Sequence, residues 1–373
     1  MRRRLRDLGY AVGRLSPGPR NHIVDVTGVQ VGHATLTEGD SIRTGVTAVL
    51  AHGGNPYAEK VLAGCQVMNG YGKAAGLSQL EELGTLESPI LLTSTVSVGP
   101  VWEGGLRWLL DLNPEAAVDR DTMNVVVGEC FDGWLSDCRG LHVRPGHAQA
   151  AIAAAGQDEV AEGAVGAGTG TTCFGFKSGV GGASRLAGEA TTLGCLVVTN
   201  YGGRRDAHLL LGAAHEAAEV AESPAQGGSA IVVLATDAPL SERQLRRLAA
   251  RGGLGLGRAG SFAANASGEY VFAFSTAHRV DHRSDEPHDS FHFLRDDSPS
   301  LRELFEAAVE VTAEAVWNSL CSADAVEGRD GHRAEALPYE LLASAPGLRR
   351  TEARDPAQTH RRDPRPAPAR HDG

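Results

Sequence analysis

From His22, apolar and polar residues alternate along HIVDVTGVQVGHATL, with a Thr-Gly turn signal inside the run, and a period of two predicts strand. VTAVLAH at 46–52 reads as a further strand, and 74–83 as a short helix. PILLTSTVSVG (89–99) and MNVVVGEC (123–130) read as buried strands, with a helix at 101–112 between them. HAQAAIAAAG (147–156) predicts a helix of small residues ended by Gly156. TTLGCLVVTN (191–200) and SAIVVLATD (229–237) are apolar strands, separated by a helix at 205–220. Ser241 is a good N-cap for a helix with a Leu245/Leu248 stripe, and Gly252 is expected to end it. GEYVFAFSTAH then reads as strand, and Leu301, Leu304, Phe305, Ala308, Val309, Ala315 and Val316 recur at helical spacing over 300–319.

The order of elements is mixed and holds no sustained βαβ repeat, which favours an α+β fold. Several strands are apolar on both faces, as two stacked sheets between outer helices require. Three segments follow: a loose lead-in at 1–21, a single domain at 22–344, and a tail at 345–373. The tail is rich in Arg and Pro without apolar period and is expected to be disordered.

A net charge of −11 carries no global basic field for nucleic acid. No apolar run is long enough for a membrane span, and the basic N-terminus lacks the apolar stretch of a secretory signal. The six Cys show no CxxC spacing and fit reduced thiols in a cytoplasm. The chain is therefore expected to be soluble and cytoplasmic.

In GLGLGRAGSFAANASGEYVFAF, a Gly-rich stretch leads to Gly260-Ser261 and then to an apolar strand. Glycines allow strained or positive-φ backbone, and Gly260 leaves its own carbonyl carbon sterically open. On pattern alone the segment reads first as a flexible turn. Asn200 and Glu129 each stand at a predicted strand end, where a turn cap and an exposed acid are the plain structural readings.

Five separated blocks alter these readings: NHIVDVTGVQVGH, VVVGECFDGWLSD, GFKSGVGGASR, VVTNYGGRRD and SAIVVLATDAPLSERQLRRLAARGGLGLGRAGS. Together, over about 20–320, the chain resembles the L-aminopeptidase/D-Ala-esterase-amidases and β-peptidyl aminopeptidases. The resemblance implies a four-layer α-β-β-α sandwich of the N-terminal-nucleophile type and a homo-oligomer. It implies a precursor cut between Gly260 and Ser261, with Ser261 as nucleophile, Asn200 as an oxyanion donor and Glu129 holding the substrate amine. A family Tyr is replaced here by Phe131, so its hydroxyl is lost from the substrate site. The family's downstream Ser and Glu find no clear match; Ser290, Ser298 and Ser300 are the available hydroxyls, and none is chosen.

The resemblance implies a self-processing serine aminopeptidase or amidase acting on short peptides, amino-acid amides or esters, without metal or organic cofactor. A pathway-specific amidase or acyltransferase of the same fold, or a non-catalytic assembly module, are the alternatives. His278, His282, His288 and His292, with interleaved Asp, read as a polar loop rather than a metal site. The Gly-rich 163–185 lacks phosphate-loop spacing and reads as tight packing and cleft lining. Cys130 and Cys138 read as buried small residues rather than nucleophiles.

Overall fold

The structure, a computed structural model, describes residues 2–118, 121–188, 191–212 and 228–351. Two sheets carry the fold. One has the order β2 (Gln30–Glu38), β3 (Ile42–Leu50), β6 (Ile90–Ser94), β7 (Val126–Cys130). The other runs β10 (Val180–Ala187), β11 (Thr191–Asn200), β12 (Gly228–Thr236), β13 (Ser267–Asp281), β4 (Glu59–Gly70), β5 (Thr85–Leu86). Short ribbons pair β1 (Tyr10–Val12) with β16 (Leu348–Arg350), β8 (Thr172–Cys173) with β9 (Phe176–Lys177), and β14 (Val326–Glu327) with β15 (Arg333–Ala334). The helices are α1 (Leu77–Leu83), α2 (Val98–Leu112), α3 (Pro145–Ala153), α4 (His208–Leu211), α5 (Glu242–Arg258) and α6 (Pro299–Cys321).

Strand periodicity explains the layering. On β12, Ala230, Val232 and Leu234 pack with Leu245 and Leu248 of α5 and Leu304 and Ala308 of α6. The alternate residues Ile231, Val233 and Ala235 face Val49, Ile90 and Val126 of the other sheet. On β3 the same alternation sends Val46 and Ala48 towards Leu109 of α2 and Ala148 of α3. Three apolar clusters thus fill three interlayer spaces, and the architecture is the α-β-β-α sandwich expected from the sequence. The parallel pairs β6–β7 and β12–β13 are joined through α2 and α5, as parallel strands require a crossover.

Gly252 does not end α5, which runs on to Arg258 through four glycines. Close packing is the reason. A Cβ on Gly255 would lie 2.6 Å from Thr312 Cβ and 2.9 Å from the Val309 carbonyl of α6, and one on Gly252 would lie 2.9 Å from Val271 of β13. These glycines serve helix contact rather than a loop. Of the helix expected at 205–220, α4 occupies His208–Leu211, and 213–220 lie outside the described residues.

The lead-in is anchored, not loose. Glu310, Glu314 and Asn318 recur every four residues on α6 and are buried. Arg185 donates to Glu310 at 3.0 Å and to Glu314 at 2.7 Å, and Arg6 donates to Glu314 at 2.6 Å. Backbone N–H groups of Leu5, Val12, Arg14 and Leu15 donate to the same three side chains. The segment expected to be disordered from 345 is ordered over 345–351: Ala345 is buried, and β16 pairs with β1. Residues 352–373 of the expected tail lie outside the described residues.

Burial alone would raise the pKa of Glu314, but the guanidinium groups of Arg185 and Arg6 outweigh it and hold the carboxyl at about 2. A carboxyl depressed in the folded state contributes stability above its ordinary value, and that contribution is lost as pH falls towards the folded pKa. Glu314→Gln is therefore expected to lower stability at pH 7 by about 3–5 kcal/mol, since it strands buried arginines. The gap to the wild type should narrow as pH falls from about 4.5 to about 2, as read by urea unfolding across that range. In α5, Gly255→Ala should cost about 1–3 kcal/mol by overpacking. Gly257→Ala, where a Cβ meets open space, should instead stabilise by up to about 1 kcal/mol in thermal melts.

Candidate active site

Strand register assembles the site. Asn200, the last residue of β11, pairs with Ser229 of β12, while Gly228 of β12 pairs with Ser267, the first residue of β13. One strand end and two strand starts therefore meet at the same edge of the larger sheet. The end of β7 joins them from the smaller sheet, where the Phe131 N–H donates to Ser229 Oγ at 3.0 Å. A cleft of about 340 Å³ opens there, lined by Phe131, Trp134, Thr172, Asn200, Asp206 and Arg329, among others. Gly228, Gly260, Ser261, Ser267 and Glu269 also belong to its wall.

The loop between α5 and β13 brings two serines to this cleft. Gly260 has φ +84° and is the left-handed glycine that terminates α5. Its N–H donates to the Gly257 carbonyl, and the Ser261 N–H reaches back to the Leu256 carbonyl, both at 3.0 Å. This is a Schellman helix end, which favours glycine at that place and accounts for Gly260 structurally. A Cβ on Gly260 would also lie 2.9 Å from the Phe174 ring. The Ser261 hydroxyl accepts a bond from the Ala263 N–H at 3.3 Å and reaches no carboxylate among the described residues.

Ser267 has a different environment. It is buried, and its hydroxyl donates to Glu269 Oε1. Residues i and i+2 of a strand share a face, so the order Ser-Gly-Glu at the start of β13 is what pairs them. Glu269 is also buried, its Oε2 has no hydrogen-bond partner, and burial pushes its pKa up. The carbonyl of Ala266, on the bond just before Ser267, accepts from the Gly228 N–H at 3.2 Å. Asn69 at the end of β4 clamps the approach, its amide donating to the carbonyls of Ala264, at 2.8 Å, and Ser267.

The remaining expected site residues divide. Asn200 lies in the cleft; its Oδ1 accepts from the Thr172 N–H at 3.2 Å, which turns the amide group and leaves Nδ2 as a donor. Phe131 lines the cleft and is about half exposed. Glu129 is buried and outside the cleft lining. Its carboxylate accepts from the Lys73 N–H at 3.0 Å and from the Thr95 hydroxyl. Ser290, Ser298 and Ser300 do not line the cleft, and Ser298 caps α6. Sequence reading passed over Ser267 and Glu269; the signal available was a hydroxyl and an acid two residues apart where an apolar strand begins.

The other candidates take structural roles. His278 bonds to the His292 carbonyl and lies among Phe291 and Phe293, while His282 lies against the Tyr57 ring at a tilt of 33°. Among the described residues, no three His, Cys, Asp or Glu side chains converge as a metal set. Burial pushes the thiols of Cys130 and Cys138 up, away from the reactive thiolate. In the Gly-rich segment, a Cβ on Gly181 would meet the Ala315 carbonyl of α6 at 2.1 Å, while Thr172 lines the cleft, in line with packing and lining. No described helix is long and apolar enough to cross a membrane.

Comparison with known proteins gives a consistent set. The model of peptidase family S58 matches residues 21–334. β-Peptidyl aminopeptidase BapA of Sphingosinicella microcystinivorans is 39% identical over 378 residues, covering 94% of this chain and 93% of the relative. Among solved structures, the PH0078 protein of Pyrococcus horikoshii OT3 superposes with a TM-score of 0.85 at 45% identity, covering 91% of this chain and 98% of that one. The L-aminopeptidase D-Ala-esterase/amidase of Ochrobactrum anthropi, described as a prototype for the serine aminopeptidases with an Ntn-hydrolase fold variant, superposes at 0.83 with 34% identity, covering 91% and 96%.

Proposed function

The chain belongs to peptidase family S58, and on that premise we propose that it is a self-processing aminopeptidase whose nucleophile is Ser267, freed by a cut after Ala266. The carrying observation is the convergence of three groups on one peptide bond. The Ser267 hydroxyl is the attacker, Glu269 accepts its hydrogen bond, and the Gly228 N–H holds the Ala266 oxygen. Ser261, expected from the family resemblance, is the second reading; it lines the same cleft, and among the described residues no carboxylate reaches its hydroxyl.

In the precursor, the hydroxyl proton passes to Glu269 as Ser267 Oγ attacks the Ala266 carbonyl carbon. The raised pKa of Glu269 suits a carboxylate that accepts a proton. Negative charge gathers on the Ala266 oxygen, where the Gly228 N–H already points. The C–N bond breaks as the Ser267 nitrogen takes up the proton, and water hydrolyses the resulting ester. Holding attacker and bond together removes an encounter cost of up to roughly 7–11 kcal/mol.

The mature Ser267 then carries a hydroxyl and an α-amine with an ordinary pKa of about 7.7–8.0, so one residue supplies nucleophile and base. A substrate acyl group forms an ester with Oγ, the amine of the leaving group takes the proton, and water releases the product. Asn200 Nδ2 is a donor for the substrate oxyanion. Among the described residues lining the cleft, Asp206 and Glu269 carry the carboxylates that face a substrate ammonium, and Glu129 lies buried behind the opening. Short peptides, including peptides of β-amino acids as the relative's name indicates, amino-acid amides and esters are the proposed substrates, and the αβ units are proposed to form a homo-oligomer in a cytoplasm.

Denaturing electrophoresis with N-terminal sequencing is expected to show two fragments, the second beginning Ser-Gly-Glu-Tyr-Val. Ser267→Ala should leave one uncut chain without peptidase activity, while Ser261→Ala should still be cut; a fragment beginning at Ser261 would reverse the assignment. Asn200→Ala should lower kcat by about 10²–10³-fold in steady-state assays, the usual loss for one oxyanion donor.

A further inference from the structure

Among the described residues lining the cleft, Arg329 is the one Lys or Arg. It stands between β14 and β15, and its backbone is fixed from several sides. Its N–H donates to the Leu135 carbonyl at 2.9 Å, and its own carbonyl accepts from the His332 N–H at 3.0 Å. His332 in turn bonds to the Trp134 carbonyl at 2.8 Å and stacks on the Trp134 ring, with centroids 3.6 Å apart and planes at 11°. Gly328 lies against the chain, where a Cβ would fall 2.0 Å from the Leu135 oxygen. The turn is therefore held rigidly against the cleft wall.

The side chain is not held in the same way. Arg329 Nε has no hydrogen-bond partner and makes one long ion pair, to Asp330 Oδ2 at 3.6 Å, while the side chain as a whole is about a third exposed. A partly exposed guanidinium held by a single long ion pair keeps N–H groups for a ligand, and a planar carboxylate is the ligand whose two oxygens match the guanidinium fork. The same cleft carries the carboxylates of Asp206 and Glu269, so its wall offers both signs of charge. Its volume of about 340 Å³ is near the lower end of the roughly 300–1,000 Å³ common for ligand pockets, which suits a small ligand charged at both ends.

We propose that Arg329 is a specificity-determining residue that binds the free C-terminal carboxylate of a short peptide substrate, so that this enzyme favours dipeptides with an unblocked C-terminus over amides or longer chains. The inference rests on the aminopeptidase reading above and narrows its substrate class. No bond is made or broken at Arg329. It contributes to substrate affinity and leaves the chemical step at the serine unchanged.

The test uses the mature wild-type enzyme with a dipeptide and the same dipeptide as its C-terminal amide. The free acid is expected to show a KM roughly 10- to 100-fold below that of the amide, the range given by a hydrogen bond to a charged group. Arg329→Gln should raise KM for the free acid by a similar factor, keep its kcat, and leave the amide unaffected, which also reports that the variant is folded. Arg329→Lys should restore part of the preference. Equal KM values for acid and amide in the wild type, or an equal loss on both in Arg329→Gln, would overturn the assignment. Failure of the wild type to turn over either compound would overturn the aminopeptidase reading itself, and this inference with it.

Discussion

The site depends on one constraint, the parallel register of β12 and β13. A parallel pair needs a crossover, and α5 provides it on the outer face of the larger sheet. Once that helix is seated, the starts of both strands lie beside the end of β11, and Gly228 stands opposite Ser267. An amide N–H, a hydroxyl and a side-chain amide then meet at a sheet edge without any of them being placed by a flexible loop. The glycines of α5 belong to the same constraint, because they let the crossover lie close to α6 and to β13.

Much of the fold was legible in the sequence because its strands alternate cleanly. Runs such as SAIVVLATD are apolar at every position only because both faces are covered, and that reading led directly to two sheets inside two helical layers. The end of α5 was not legible, since local glycine content signals termination while the packing that tolerates it is a tertiary fact. The buried carboxylates of α6 were hidden for a related reason. Their partners, Arg6 and Arg185, lie more than a hundred residues away in the chain.

The candidate site was read unevenly. Asn200, Phe131 and Ser261 do share a cleft. Glu129 shares the strand but not the opening, since Lys73 and Thr95 reach its carboxylate from neighbouring segments that no local pattern connects to it. Gly260-Ser261 drew notice as an open, glycine-preceded serine, and its glycine turns out to close a helix. Ser267 gave the quieter signal of an ordinary strand start, and the groups around its hydroxyl are brought there by other strands.

The middle position of β13 separates chain continuity from structural unity. This strand lies between β12 and β4, hydrogen-bonded to both, and α6 that follows it is clasped by the first fifteen residues through Glu310, Glu314 and Asn318. A molecule severed ahead of β13 would therefore keep its shape as an interlocked pair, in which neither piece owns a complete hydrophobic interior. Separating the halves would mean unzipping the central sheet along both of its seams.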